Sequence, residues 1–551
     1  MMDRKVLIIG ATGVFGRRMS RRLARIPGIK LVLASRNLAS AQDLAREIDA
    51  EGIALDRNRN LAATLARVRP WLVIDASGPF QGGDYRVPLA ALEAGAHVID
   101  LADARDYVLG FAAALDAKAK AVGLVAITGA SSTPALSTAA AEYLIGDWKR
   151  IDSIDIAITP DGANDIGVSA IASVISYAGS PTRVFRHGAM TSATGWCGSK
   201  RWNIPFLGRR RVAPVDTPDA DLLVGRHRVR SRVRFQAGLE SRLEQWGLTA
   251  LARLRQMGVF GSLKPLAPFL AKSRAITRQF ASDRGGMLVA VQGLDVNGNW
   301  TRAEWSLLAE NGDGPFVPGL PAVAATRMLL AGGLPTGARP ADGVIPLANI
   351  EAEFEGLGLS TTIQNHALQT GAFERSLGAE AFAGLHPPIR DFHSPKGEPV
   401  WAGEASIETG PSFPARLISR MFGLPQASSA IPVKVSVERE ADGSETWTRN
   451  FGGEQFHSVM KPGPGGRLTE WFGPLGFDLA LNASAGNLSL PVSRWRFFGA
   501  PMPRFLLPVS EAHENLDSRG RFRFDVRLSL PFFGLLIHYR GWLKPVLPPK
   551  G

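Results

Sequence analysis

The tightest constraint on this chain is the run Lys5-Val-Leu-Ile-Ile-Gly10-Ala-Thr-Gly13-Val-Phe-Gly16. A short apolar strand enters a Gly-x-x-Gly-x-x-Gly turn, and a helix follows. That order fits a Rossmann unit. Gly10 permits the tight turn, Gly13 leaves room for a pyrophosphate against the backbone, and Gly16 lets the helix pack on the strand. The helix start offers unpaired N–H groups and the positive end of its dipole to phosphate. A glycine triplet alone decides little, and a turn that binds nothing is the alternative. The pattern downstream adds weight. Residues 30–34, 53–55, Leu72–Asp75, His97–Asp100 and 124–127 read as further short strands, and 17–25, 40–48, 85–93 and 106–121 as helices. Such alternation predicts an α/β Rossmann fold, a doubly wound parallel sheet over residues 1–130.

The end of the second strand selects the cofactor. A site for NAD(H) usually carries Asp or Glu about 20 residues beyond the glycines, to accept from the ribose 2′-OH. Here the strand ends Leu33-Ala34-Ser35-Arg36-Asn37, with no acid before Asp43. Ser35 and Arg36 are donors suited to a 2′-phosphate, so NADP(H) is preferred over NAD(H). The alternative makes Arg36 a plain surface residue at a helix start. Two more loops lie at the carboxyl ends of strands, where such folds bind ligands. Asp56 is placed to accept from the adenine amino group, or else to hold its own loop. Ser77, Gly78 and Pro79 are placed to line the nicotinamide ribose.

Beyond residue 130 the pattern changes twice. Residues 131–375 read as an α+β substrate or dimerisation-type domain. Ile154, Ile156 and Ile158 alternate as in a strand, and 169–177 reads as a helix. Residues 239–257 read as an amphipathic helix with Leu243, Trp246, Leu251 and Leu254 towards one side. Asn297-Gly298-Asn299 predicts a type I′ hairpin turn between 287–296 and 300–310, and Pro321 opens a helix. Residues 376–551 read as a mainly antiparallel β domain. Phe522, Phe524, Val526, Leu528 and Leu530 alternate with polar residues, and 468–472, 477–481 and 487–491 also look like strands.

GATGVFG, the Ser35-Arg36 pair, VIDASGPFQGGDYRVPLAALEAGAHVIDLAD and Gly129-Ala-Ser-Ser-Thr-Pro134 together resemble the saccharopine dehydrogenase-like (saccharopine reductase-type) oxidoreductases. The resemblance is close over roughly residues 1–135 and looser to about 375. It implies an NADP domain followed by a substrate domain, with cofactor contacts from Gly10, Thr12, Gly13, Gly16, Arg36, Ser77, Gly78 and Pro79. Members act on different substrates, so the reaction stays open. The last part, through Phe451-Gly-Gly-Glu-Gln-Phe456 and GRFRFDVRLSLPFFGLLIHYRGWLKP, resembles a domain of unknown function that occurs fused to such oxidoreductases. Saccharopine-forming enzymes lack that extension, which argues against lysine metabolism.

Charge supplies a second theme. The chain carries net +13, and residues 183–284 hold 20 Lys and Arg against 6 Asp and Glu. In a strand, Arg228, Arg230, Arg232 and Arg234 would share one face beside the amphipathic helix. Aligned guanidiniums repel unless an anion or acidic neighbour balances them. One reading is an anionic membrane surface docking through 183–284; the other is acidic strand partners within the fold. No nucleic-acid motif accompanies the charge, so nucleic acid is not expected. One cysteine, Cys197, excludes an intrachain disulfide. No signal peptide or membrane-spanning run is read, so a cytoplasmic protein is expected, with peripheral membrane attachment as the further reading in the sense just given. No histidine pair suggests a metal site. No Tyr-x-x-x-Lys pair supplies a proton donor, which leaves the catalytic residues unknown and Asp103 and His187 as weak candidates. The leading expectation is an NADP(H)-dependent oxidoreductase acting on a hydrophobic or lipid-like small molecule. The alternatives are a non-catalytic dinucleotide-binding protein whose β domain binds a lipid or partner, and a membrane-peripheral scaffold.

Overall fold

Strand and helix alternate from the start of the computed structural model, which describes residues 4–546 except 165, 166, 398, 422, 441, 464 and 465. The order is β1 (Arg4–Ile9), α1 (Val14–Leu23), β2 (Ile29–Ser35), α2 (Leu38–Glu47), β3 (Glu51–Ala54), α3 (Leu61–Val68), β4 (Leu72–Asp75), α4 (Arg86–Glu93), β5 (His97–Asp100), α5 (Arg105–Ala121) and β6 (Val125–Thr128). The strands pair in parallel in the order β3-β2-β1-β4-β5-β6. Val6, Leu7 and Ile8 are all fully buried, as expected of a strand covered on both faces. The order reverses between β1 and β4, and the crevice above that switch point is where such sheets bind ligands. A seventh strand from far downstream, Gly337–Pro340, pairs in parallel with β6. The first sheet is therefore not closed within residues 1–130.

The second domain contains α6 (Ser137–Ile145), β7 (Arg150–Thr159), α7 (Gly167–Ser176), β8 (Pro181–Arg186), β9 (Ala189–Thr194), β10 (Lys200–Ile204), β11 (Gly208–Pro214), α8 (Asp219–Arg226), β12 (Arg232–Ala237), α9 (Arg242–Gln256), α10 (Ala267–Thr277), β13 (Gly285–Leu294), β14 (Trp300–Ala309), α11 (Leu320–Leu330), β15 (the Gly337–Pro340 strand), α12 (Leu347–Glu351) and β16 (Leu359–Ala367). Its sheet runs β10-β11-β12-β7-β13-β14-β16, with the β8–β9 hairpin branching from β12. Sheet and helices share one apolar core with the helix-covered side of the first sheet, through Met19, Leu23, Leu320 and Val323. Buried Arg22 of α1 adds two hydrogen bonds, to the carbonyls of Glu353 (2.7 Å) and Glu355 (2.8 Å).

Two sequence expectations change here, and one is made specific. The β13–β14 hairpin forms, but its turn is not type I′, which needs two left-handed residues. Gly298 alone has positive φ, Gly298 N–H donates to Asp295 O at 3.0 Å, and Asp295 Oδ1 accepts from Asn297 and Asn299 N–H. The aspartate side chain thus organises a longer loop. On α9 the buried residues are Gln245, Leu248 and Ala252, whereas Leu243 is 72% and Trp246 56% exposed. The arginine run is corrected most. The strand begins only at Arg232, so Arg228 and Arg230 precede it. Arg232 and Arg234 are 1% and 2% exposed.

Their burial has a cause in the register. Arg234 lies beside Asp155 of β7. Asp155 takes Arg232 at 2.8 Å and Arg234 at 2.7 Å. Glu440 in the third domain lies 3.3 Å from both guanidiniums. Burial alone would raise the Asp155 carboxyl; the two arginines overcome it and hold the group well below the usual range. These two charges are balanced inside the protein and face no membrane.

The third domain is one antiparallel sheet of 13 strands among the described residues. β17 (Val400–Thr409) and β18 (Ser428–Arg439) lie near its middle, and Asn482–Ser484 and Ala500–Pro501 form its edges. Its core includes Phe373, Phe382 and Phe392 from the preceding helical stretch, packed with Trp401, Trp447 and Phe522. Ala372 and Phe373 are fully buried there. Among the described residues, no helix is long and apolar enough to cross a membrane.

Candidate functional site

The glycine turn meets the steric requirements read from sequence. Gly10 has φ +79°, and a Cβ there would lie 2.9 Å from the Ala76 carbonyl. A Cβ on Gly16 would stand 2.2 Å from Gly10 O, so neither position admits a side chain without displacing the backbone. Gly13 differs: a Cβ would meet only Gly10 O, at 3.2 Å, which leaves its outer side open. Gly13 also caps α1 without a side-chain acceptor. The turn therefore presents backbone N–H groups and a helix N-terminus to the crevice, a cradle that fits a dinucleotide pyrophosphate.

Ser35 ends β2 beside this turn, and Arg36 follows it. Thr12 Oγ1 and Ser35 Oγ lie 2.9 Å apart, and Ser35 Oγ accepts from Asn37 N–H at 3.3 Å. Asn37 in turn caps α2, accepting from Ser40 N–H. Arg36 is exposed, and no carboxylate among the described residues pairs with it. The structure thus brings Gly10, Thr12, Gly13, Gly16, Ser35 and Arg36 to one end of β1 and β2. Asp56 sits at the next strand end, but its carboxylate accepts from Asn58 N–H at 3.0 Å and lies 3.7 Å from Arg59. Both contacts are within its own loop.

Ser77, Gly78 and Pro79 follow β4. Ser77 donates its N–H to Asp75 at 2.9 Å, and its hydroxyl also donates to that carboxylate. Arg57 reaches over to Ser77 Oγ at 3.0 Å and to Asp75 at 3.5 Å. The sequence reading missed Arg57, Asp75 and Asp100. A signal was present: two adjacent strands both end Val-Ile-Asp, at Asp75 and Asp100, and these carboxylates are neighbours in the sheet. Asp100 Oδ1 accepts from Ala102 N–H, Gly129 N–H and Thr128 Oγ1 at 2.8–3.0 Å, while Oδ2 is buried without a partner. Burial pushes this carboxyl up to about 7, against those three donors. Asp75 is also raised by burial, opposed by Ser77 and Arg57.

The two proton-donor candidates separate. Asp103 accepts from Gln81 at 3.2 Å at this carboxyl edge, and burial raises it. Burial, followed by the Asp103 charge, pushes the Tyr177 hydroxyl just after α7 upward. His187 lies elsewhere, 2.6 Å from Ser436 and 3.6 Å from Glu438 on β18, where burial lowers it. It joins the second and third domains and is no part of the crevice.

Two stretches of the chain match known family models. Residues 6–127 match the family model described as the saccharopine dehydrogenase NADP binding domain. Residues 385–543 match the domain of unknown function DUF4166. No curated protein matches the chain. Among solved structures, similarity is found to saccharopine dehydrogenase (L-Glu forming) from Saccharomyces cerevisiae, at 14% identity and TM-score 0.48, covering 66% of this chain and 100% of that one. Homospermidine synthase from Legionella pneumophila, in complex with NAD, is similar at 11% identity and TM-score 0.46, covering 68% and 93%. An amine dehydrogenase from Mycobacterium smegmatis follows at 12% identity and TM-score 0.34, covering 62% and 95%.

Proposed function

We propose that this protein is an NADP(H)-dependent oxidoreductase acting on a hydrophobic, lipid-like small molecule. One observation carries the cofactor assignment: the end of β2 offers a hydroxyl and an unpaired guanidinium, and no carboxylate. The first-turn N–H groups of α1 would hold the pyrophosphate, and Ser35 and Arg36 the 2′-phosphate. Ser77, fixed by Asp75 and Arg57, would line the nicotinamide side. The nicotinamide, when bound, supplies hydride exchange. A matching domain described as NADP-binding supports the same choice.

The lipid-like substrate rests on a surface. α9, α10, their connection and the turn after α10 leave Leu243, Trp246, Met257, Val259, Phe269 and Phe280 more than half exposed, with Arg242 just before them and Lys264 and Lys272 among them in sequence. Apolar side chains framed by cations suit the surface of an anionic bilayer. The membrane part of the reading therefore moves from the Arg232 and Arg234 strand to these helices.

Calorimetric titration tests the cofactor assignment. NADPH binds more tightly than NADH, and Arg36→Ala narrows the gap by about 1.5–3 kcal/mol, the value of one charge-assisted hydrogen bond. Tighter binding of NADH, or an unchanged preference in the variant, removes Arg36 from the site.

A further inference from the structure

A second cluster of cations is unused by the dinucleotide site. The β10–β11 hairpin and the start of α9 enclose a cavity of about 320 Å³ lined by Arg201, Arg209, Arg210, Arg211 and Arg242. Arg201 and Arg211 are directly opposed across the hairpin. Like charges in that position destabilise a strand pair unless something negative lies between them. Arg209 shares their face, two residues along β11.

The protein supplies little compensation. Glu240 is the one acid lining the cavity, and it is already engaged. It accepts from Gly162 N–H at 3.0 Å and from Ser282 N–H and Oγ, and lies 3.6 Å from Arg210. Two donors there are left over. Gln245 is 1% exposed; its Oε1 accepts from Leu239 N–H at 3.0 Å, which fixes the amide so that buried Nε2 donates to nothing. Arg210 Nε is also buried without an acceptor. Buried donors are normally satisfied, so an unfilled pair on a cationic cavity marks a place for an acceptor. The first turn of the 15-residue α9 adds its positive dipole end to the same wall.

We propose that this cavity is a binding site for a phosphate ester, distinct from the dinucleotide crevice. Five guanidiniums against one engaged carboxylate call for more than a single negative charge. A phosphate monoester or pyrophosphate brings about two charges and several acceptor oxygens, and guanidinium forks match that geometry. A lone carboxylate would leave most of the arginines uncompensated. The ester's other end would meet apolar side chains: Leu239 lines the cavity, and exposed Leu243 and Trp246 adjoin the lining residues Arg242 and Gln245 in sequence. That rim suits either a free organic phosphate or the headgroup of an anionic lipid.

The test titrates the full-length protein with inorganic pyrophosphate at low ionic strength. Arg201→Gln/Arg209→Gln removes two exposed side chains and leaves the core untouched; Arg242→Gln is a second, independent variant. The wild type binds saturably. The double variant weakens binding on the order of tenfold or more, as the loss of about 1.4 kcal/mol would, while its NADPH titration is unchanged. Arg36→Ala shows the converse, so failure of the dinucleotide reading and failure of this one are separable. Sedimentation with phosphatidylcholine vesicles containing phosphatidic acid identifies the source: binding that pyrophosphate competes away assigns a lipid headgroup, and its absence alongside soluble binding assigns a free ester. Absence of saturable pyrophosphate binding by the wild type, or equal binding by both variants, overturns the proposal.

Discussion

Arg234 and Arg211 come from the same basic stretch, and both stand on strands of one sheet. Their cross-strand neighbours set their fates. Arg234 has Asp155 beside it and is buried; Arg211 has Arg201 opposite and lines an open cavity. Local charge density does not distinguish them. One cluster is neutral within the protein, and the other is complete only with something the chain does not provide.

Removing the acid should break the contrast most sharply. Asp155→Ala leaves two buried guanidiniums with Glu440 as the nearest counter-charge, and a broken buried ion pair costs about 3–5 kcal/mol. Urea denaturation reads this. Replacing Asp155, Arg232 and Arg234 together by apolar residues of similar volume should recover much of the loss; a loss under about 1 kcal/mol for the single variant would refute internal balance.

The pH dependence of stability separates two kinds of buried carboxylate. Asp155 is depressed by its arginines, so its contribution is present above the usual carboxylate range and is lost only as pH falls through its lowered value. Asp100 has the opposite sign. Raised to about 7, it binds a proton in the fold that the unfolded chain has released, so stability declines as pH rises from about 4 to about 7. Asp100→Asn should flatten that window by on the order of 4 kcal/mol, measured as the urea midpoint against pH. An unchanged profile would mean that Asp100 is ionised throughout.

Glu440→Gln should cost about 1–2 kcal/mol, because the guanidiniums keep Asp155 and a neutral acceptor. Arg201→Gln marks the other extreme. Its effect on thermal unfolding should stay within about 0.5 kcal/mol, with a slight gain in stability as the like-charge pair with Arg211 is relieved. A large loss there would show that Arg201 has a partner inside the fold after all.

Local pattern determined how much was legible in advance. The parallel strands and the glycine turn were readable because strand, turn and helix follow one another within a few residues. Asp75 and Asp100 also lay in the open as strand-ending acids, and Ser77 is a local partner of Asp75, but the approach of Arg57 to Asp75 and of Gly129 to Asp100 depends on strands meeting in space. Arg232 could not be placed from sequence, since Asp155 lies 77 residues away and Glu440 another 208 beyond the arginine. On α9 the periodicity groups Leu243 and Trp246 on one side, and the structure leaves both of them exposed. Buried Gln245 binds the Leu239 backbone while Trp246 stays out, which reverses what hydrophobicity alone suggests.

The strand Gly337–Pro340 gives the first sheet a history as well as an edge. Roughly two hundred residues separate it from β6, and a ribosome adding about 5–20 residues per second needs on the order of ten to forty seconds to deliver it. Through that interval β6 presents a bare row of N–H and C=O groups, a template for pairing with another nascent chain. The nucleotide-binding half is thus born before it can be sealed, and its vulnerability to misassembly is set by how promptly the second domain is synthesised and folds back over it.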